Sequence, residues 1–154
     1  MSSSGASTIA LADLPSMVGK HLGHADWVTV DQDKINLFAD ATGDHQWIHV
    51  DEERAKGGPF GTTIGHGYLT LALVPISVFQ LLRVEDAKLV VNYGLNKVRF
   101  PAPVPSGSRV RMGGEVAAVE PVSGGLQVTL NCTFEIEGQP KPACVAEILF
   151  RYYE

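Results

Sequence analysis

The chain is poor in cysteine, with two in 154 residues, Cys132 and Cys144. Both lie in strand-like runs, so buried free thiols are expected and a disulfide framework is excluded. It also lacks any cluster of Lys or Arg. With a formal net charge of -5 and a pI near 5.5, a nucleic-acid partner is excluded. Arg99, Arg109 and Arg111 still leave room for a local cationic pocket. No apolar run is long enough to span a membrane, and the longest carries Thr70, Pro75, Ser77 and Gln80. The Ser-rich start has neither a basic segment nor an apolar core and does not read as a signal peptide. A cytoplasmic protein with no membrane association is the default expectation.

What is present suits one folded domain. Hydrophobic residues make up 45% and charged residues 19%, enough to bury a core. Residues 1–8 are expected to be a flexible tail and 9–154 a single domain. A short helix is expected somewhere in 11–22 and a short strand in 26–30. Asp31 is placed to cap a helix carrying Ile35, Leu37, Phe38 and Ala41, with Gly43 as its stop. Asp51 is placed to cap a second, short helix ending at Gly57-Gly58. Residues 67–82 are apolar all round, which predicts a helix buried on nearly every side, with a kink at Pro75. Beyond Arg83 the pattern becomes β. One strand is expected over 88–100 with a bulge at Gly94, another over 109–122, then a hairpin at Ser123-Gly124-Gly125. Residues 127–137 alternate: Val128, Leu130, Cys132, Phe134 and Ile136 share one face, as in a half-buried antiparallel strand. A last strand is expected over 143–153.

The chemistry is concentrated in Gly43-Asp44-His45-Gln46-Trp47-Ile48-His49-Val50-Asp51, read as a loop with two carboxylates and two imidazoles. Downstream, Gly65-His66-Gly67 opens the apolar run. Together with Ala41-Thr42 and with Val98-Arg99-Phe100-Pro101-Ala102-Pro103-Val104, these segments resemble the MaoC-like, or (R)-specific enoyl-CoA hydratase, family. The spacing Gly-Asp-four residues-His-one residue-Asp is intact, and the resemblance covers roughly residues 24–153. It is nearest to the short, single-domain branch that includes NodN-like proteins. Two positions depart: Gln46-Trp47 stand where the family often has Asn-Pro, and Ala72 stands where some members have Ser.

The resemblance implies an α+β hot-dog fold, a curved antiparallel sheet wrapped around a long central helix. It implies hydration of trans-2-enoyl-CoA to (3R)-hydroxyacyl-CoA, with an acyl-CoA thioester as substrate and a homodimer as the assembly. Such a reaction needs a base for water, an acid for C2 and donors for the enolate oxygen. Asp44 and His49 supply the first two, with Asp44 as base and His49 orienting the water, or the roles exchanged. The Gly67 N–H at the start of the buried helix supplies the third. His66 is expected to fix the loop, Asp51 to cap, and Trp47 to pack. No cofactor is expected. No metal is expected either, because the zincin-like outline His45 to His49 has Gln46 in place of Glu. Two other readings stay open: a non-catalytic acyl-CoA-binding or partner subunit, and a hot-dog thioesterase or carrier-protein dehydratase. The latter would want a carboxylate on the helix, and none occurs between Gly65 and Leu82.

Overall fold

The computed structural model describes residues 6–154; the expected tail over 1–5 lies outside them. Ser7 and Thr8, also assigned to that tail, instead belong to strand β1 (Ser7–Ile9). It pairs in parallel with β5 (Leu82–Val84), Thr8 opposite Arg83. Main-chain pairing has taken up polar residues that no apolar pattern marks as a strand.

A 3-10 helix follows over Leu11–Met17, burying Leu11, Leu14 and Met17. Strands β2 (His21–His24) and β3 (Val28–Val30) lead into α1 (Gln32–Thr42). Asp31 caps α1, its carboxylate accepting from the Lys34 N–H at 2.9 Å. Gly43 ends it in the left-handed region at φ 83°, donating its N–H to the Ala39 carbonyl. Next come two single turns, α2 (Trp47–Val50) and α3 (Glu52–Lys56), the latter capped by Asp51. The stretch read as a loop is therefore half helical. Trp47, Ile48 and Val50 have weak helix propensity, but Trp47 packs under the Arg54 guanidinium at 4.3 Å and against Gly58.

The apolar run is two helices: α4 (Gly67–Ala72), entered from the short strand β4 (Ile64–Gly65), and α5 (Val74–Leu81). The break at Leu73 is the expected consequence of Pro75, which has no N–H to return to the preceding turn. Ser77 closes the gap, bonding the Leu73 carbonyl with both its N–H (3.2 Å) and its hydroxyl (2.8 Å). Burial on every side is not observed. Leu69, Val74, Val78 and Leu81 are buried, whereas Tyr68, Ile76 and Phe79 are more than half exposed. The helix pair rests on the sheet along one face only.

That sheet is made by β6 (Leu89–Arg99), β8 (Ser108–Val122), β9 (Gly125–Ile136) and β10 (Cys144–Tyr153). The order is β2-β8-β9-β10-β6, with β3 alongside β8, and every pairing is antiparallel. A two-residue strand β7 (Val104–Pro105) pairs with β4. The alternating face of β9 is buried as expected. The hairpin before it needs glycine twice: Gly124 has φ 81°, and a Cβ on Gly125 would run into the Tyr152 carbonyl. In β6, the register against β10 slips on both sides of Gly94, between its pairings with Asn92 and with Lys97. Such bulges coil the sheet over the helices. Cys132 and Cys144 are free and buried, and desolvation pushes their thiols up to about 12 and about 11.

Candidate active site

α1 ends at Gly43, and the left-handed turn there throws the next residue, Asp44, back toward the start of α4. Asp44 accepts the Gln46 N–H on Oδ1 at 3.3 Å, a local turn that leaves Oδ2 free. Oδ2 lies 3.9 Å from His49 Nε2 and 4.0 Å from His66 Nε2. Asp44 is half exposed, while both imidazoles are buried. Three side chains separated by up to 22 positions thus converge on one carboxylate oxygen.

Hydrogen bonds fix the state of each ring. His49 Nδ1 stands 2.7 Å from the Ile64 carbonyl, which can only accept, so Nδ1 carries the proton. In the neutral ring Nε2 then presents its lone pair toward Asp44. His66 Nε2 stands 3.0 Å from the main-chain carbonyl of Asp44 and donates to it. His66 therefore holds the loop, as expected, and its Nδ1 is a buried acceptor with no partner among the described residues. The rings stack with centroids 3.8 Å apart and planes 23° apart, and Phe38 of α1 covers His66 at 4.8 Å. Gln32, in the first turn of α1, ties the assembly together. It donates to the His49 carbonyl at 2.7 Å and accepts from the Thr63 hydroxyl at 2.5 Å. Neither Gln32 nor Phe38 carries a motif, and only the packing of α1 against α2 reveals them.

His49 and Gly67 line one half-open cavity of about 340 Å³, together with Phe60, Phe100 and Pro103. A larger cavity of about 640 Å³, near Leu11 and Leu126, holds neither residue and lies away from this chemistry. Gly67 is in the first turn of α4, where its N–H has no intrahelical acceptor. The Phe100 ring lies against its Cα: a Cβ there would stand 3.1 to 3.2 Å from three ring carbons. His45 turns the other way, pairing with Asp40 at 3.0 Å in solvent, where that hydrogen bond raises its pKa. Arg109 and Arg111 form no anion pocket. They pair across strands with Glu137 and Glu135 and flank the Trp27 ring, while Arg99 bonds the Val98 carbonyl.

Asp44, His49 and His66 have donor atoms within 4.8 Å of one another, a metal-like grouping. The geometry suits an ion poorly. Nearly parallel rings direct their in-plane lone pairs side by side, and the His66 nitrogen nearest Asp44 carries a proton committed to a carbonyl.

A helix pair cradled by an antiparallel sheet defines a hot-dog fold, and Asp44, His49 and His66 gather at the entry to its helices. A family profile described as a MaoC like domain matches residues 13–133, and the chain belongs to this MaoC-like dehydratase family. It is 58% identical over 144 residues to a 3-hydroxyacyl-thioester dehydratase Z of Mycobacterium tuberculosis, covering 93% of this chain and 95% of that one. It is 47% identical over 143 residues to nodulation protein N of Rhizobium leguminosarum, covering 90% and 88%. Among solved structures, an (R)-hydratase of Pseudomonas aeruginosa superposes with a TM-score of 0.73. That match covers 89% of this chain and 82% of the other at 22% identity, and shares the fold.

The buried imidazole makes a prediction about stability. Desolvation holds the His66 pKa below its ordinary 6.5, outweighing the opposing bond to the Asp44 carbonyl. The unfolded chain takes up that proton at a higher pH than the folded one. The linked stability is therefore complete above pH 6.5 and is lost as pH falls through the folded value. Between about pH 7.5 and about pH 5.5, the urea midpoint should fall less in His66→Gln than in the wild type. Equal falls would show that folding does not change this group's proton affinity.

Proposed function

We propose that the protein hydrates trans-2-enoyl-CoA to (3R)-hydroxyacyl-CoA, reversibly, with Asp44 and His49 as the acid/base pair and the Gly67 N–H as the oxyanion donor. The observation that carries this reading is an ionisable carboxylate facing Nε2 of a buried imidazole 3.9 Å away, beside a cavity that His49 shares with Gly67. That separation is too long for a direct hydrogen bond and suits one water bonded to both groups at about 2.8 Å. In the reaction, the water oxygen bonds to C3 and one of its protons passes to Asp44 or His49. The π pair of the C2–C3 double bond shifts to C1–C2 as the carbonyl π pair moves onto the thioester oxygen, where the Gly67 N–H holds the charge. The pair then returns a proton to C2, so the enzyme ends as it began. The relative named for dehydration of 3-hydroxyacyl thioesters supports the same chemistry read in reverse.

The assembly we infer is a homodimer. Among the described residues, strand β6 pairs with β10 on one side only, and Leu89, Tyr93 and Leu95 on it are exposed. With Tyr68, Ile76 and Phe79 also uncovered, the chain has more open edge and apolar surface than monomers usually leave.

The direct test follows loss of enoyl absorbance with crotonyl-CoA and longer trans-2-enoyl-CoAs, with chiral analysis of the product. Asp44→Asn and His49→Ala should each lower turnover about 10²- to 10⁴-fold while the fold is kept, His49→Ala melting lower because the Ile64 carbonyl loses its partner, and the double variant should lose little more activity. Near-wild-type turnover by either single variant refutes the mechanism.

For the oxyanion donor, Gly67→Pro removes the N–H at a first-turn position that tolerates proline. Gly67→Ala is the matched control, since both introduce the Cβ that meets Phe100. Turnover should be about a hundredfold lower in the Pro variant than in the Ala variant. If a folded Pro variant matches Ala, the oxygen is held by another group.

Sedimentation at micromolar concentration should give a dimer. A stable, fully active monomer would overturn the assembly.

A further inference from the structure

We propose that Gln32 is a positioning residue for the reaction, one that keeps the His49 ring in its tautomer and aimed at Asp44. Its amide does so by clamping both sides of the contact between His49 and Ile64. The inference rests on the acid/base role given to His49 above. The need for a clamp lies in the elements that carry the contact. His49 sits in α2, a four-residue turn whose N-cap, Gln46, makes no side-chain capping bond. Its acceptor, the Ile64 carbonyl, belongs to a strand of two residues. A single helical turn does not hold itself, because nucleation costs more than one turn of hydrogen bonds returns. The last carbonyls of such a turn, that of His49 included, have no donor within the helix. The direction of the imidazole must therefore be set from outside α2.

The rigid body is α1, with eleven residues, a side-chain cap at Asp31 and a left-handed stop at Gly43. Gln32, its first residue, makes three hydrogen bonds at once. Its Nε2 donates to the His49 carbonyl at 2.7 Å and to Asn36 Oδ1, one turn along, at 2.9 Å. Its Oε1 accepts from the Thr63 hydroxyl at 2.5 Å. The two ends of the amide are not interchangeable. A carbonyl can only accept, so the NH₂ group must face His49, and the oxygen is left for Thr63. Thr63 is buried and directly precedes Ile64, and the Ser106 N–H holds its carbonyl at 2.9 Å. One planar amide thus ties the main chain behind the imidazole to the residue before its acceptor, 17 positions away one way and 31 the other. The bond at Nδ1 selects the tautomer. An error in that spacing therefore changes which form of the ring faces Asp44, and not merely how firmly the fold holds.

The test uses the full chain and two variants that keep the length of the side chain. Gln32→Glu exchanges the NH₂ donor for an acceptor that opposes the His49 carbonyl, and Gln32→Met removes all three bonds. Thr63→Val and Thr63→Ser repeat the comparison from the other end, the serine keeping the hydroxyl. Proton–nitrogen correlation NMR at about pH 8.5, above the ordinary imidazole range, reads which ring nitrogen of His49 is protonated. His49→Ala assigns the signal, and spectra are taken below each variant's melting temperature. The wild type should show the Nδ1–H form alone. Gln32→Glu, Gln32→Met and Thr63→Val should each show a mixture of the two tautomers, and Thr63→Ser should restore the wild-type spectrum. In enoyl-CoA turnover the same three should lose about 10- to 100-fold in kcat, with KM within about threefold. A general loss of stability lowers the melting temperature but leaves the ring proton of the folded protein where it is. Gln32 is only half-buried, so its two variants test the clamp even where a Thr63 variant fails to fold. An unmixed Nδ1–H signal in both Gln32 variants overturns the proposal, as does a kcat within about twofold of wild type in both. A wild type that is itself mixed overturns it as well. Hydration by the wild type decides the other reading separately. Mixed tautomers in variants of a chain that hydrates nothing leave the clamp standing and sink the hydratase reading, whereas hydration with unmixed tautomers does the opposite.

Discussion

The site depends first on the bond from His49 Nδ1–H to the Ile64 carbonyl. At 2.7 Å between buried groups it joins α2 directly to β4, alongside the link that Gln32 makes between His49 and Thr63. Breaking it would leave a buried carbonyl and a buried N–H unpaired, at about 1–3 kcal/mol each. The same bond selects the tautomer that turns a lone pair toward Asp44. It also holds β4 in line with β7, and β4 leads directly into α4. One contact therefore sets the imidazole's state, its direction and its distance from the Gly67 turn.

A second constraint comes from the helix pair. Pro75 makes one continuous helix unfavourable, and the break at Leu73 lets α4 and α5 follow a coiled sheet instead of crossing it as a straight rod. Following the sheet buries one face and leaves the other to solvent, although both are apolar. Ile76 and Phe79 are then half-exposed side chains whose complete removal from water would be favourable by roughly 1 kcal/mol each. The open edge of β6 lies in the same region, since Asn92, Gly94 and Leu95 line one groove with Tyr68 and Ala72. Uncovered helix and unpaired strand form one continuous surface.

Local chemistry made much of this legible in advance. Asp31, Gly43 and Asp51 act as caps because capping depends on three or four neighbouring residues. The alternation of β9 reports its buried face because a strand in an antiparallel sheet has one core side. The spacing from Asp44 to His49 spans a turn and a single helical turn, which keeps the two residues near each other, although Ile64 and His66 set how they are aimed. What depended on distant partners was hidden. An all-apolar run states that water is unfavourable on every face but does not say which neighbours will cover them, and a single chain covered one. Gln32 looks like any polar residue in a first helical turn until Thr63, 31 positions on, supplies its partner. Ser7 and Thr8 join a strand only because β5 offers a free edge. Arg109 and Arg111 were open to an anion until cross-strand Glu137 and Glu135 came into register.

The two stacked imidazoles give the last step. Two positive charges about 4 Å apart would repel by about 4 kcal/mol even at an effective dielectric constant of 20, so at most one of these rings holds a charge at a time. Burial lowers the His66 pKa, and the neighbouring His49 ring acts in the same direction. His66 spends its only N–H on the Asp44 main chain, and its unpartnered Nδ1 is tolerated at a cost of about 1–3 kcal/mol. That cost is consistent with a positional role. A half-exposed carboxylate on a loop would otherwise sample many orientations, and anchoring its main chain and its Oδ1 leaves Oδ2 as the one free oxygen, aimed at both rings. Mobility has been removed from the carboxylate's backbone without removing its access to water, which is the combination an exchangeable proton requires.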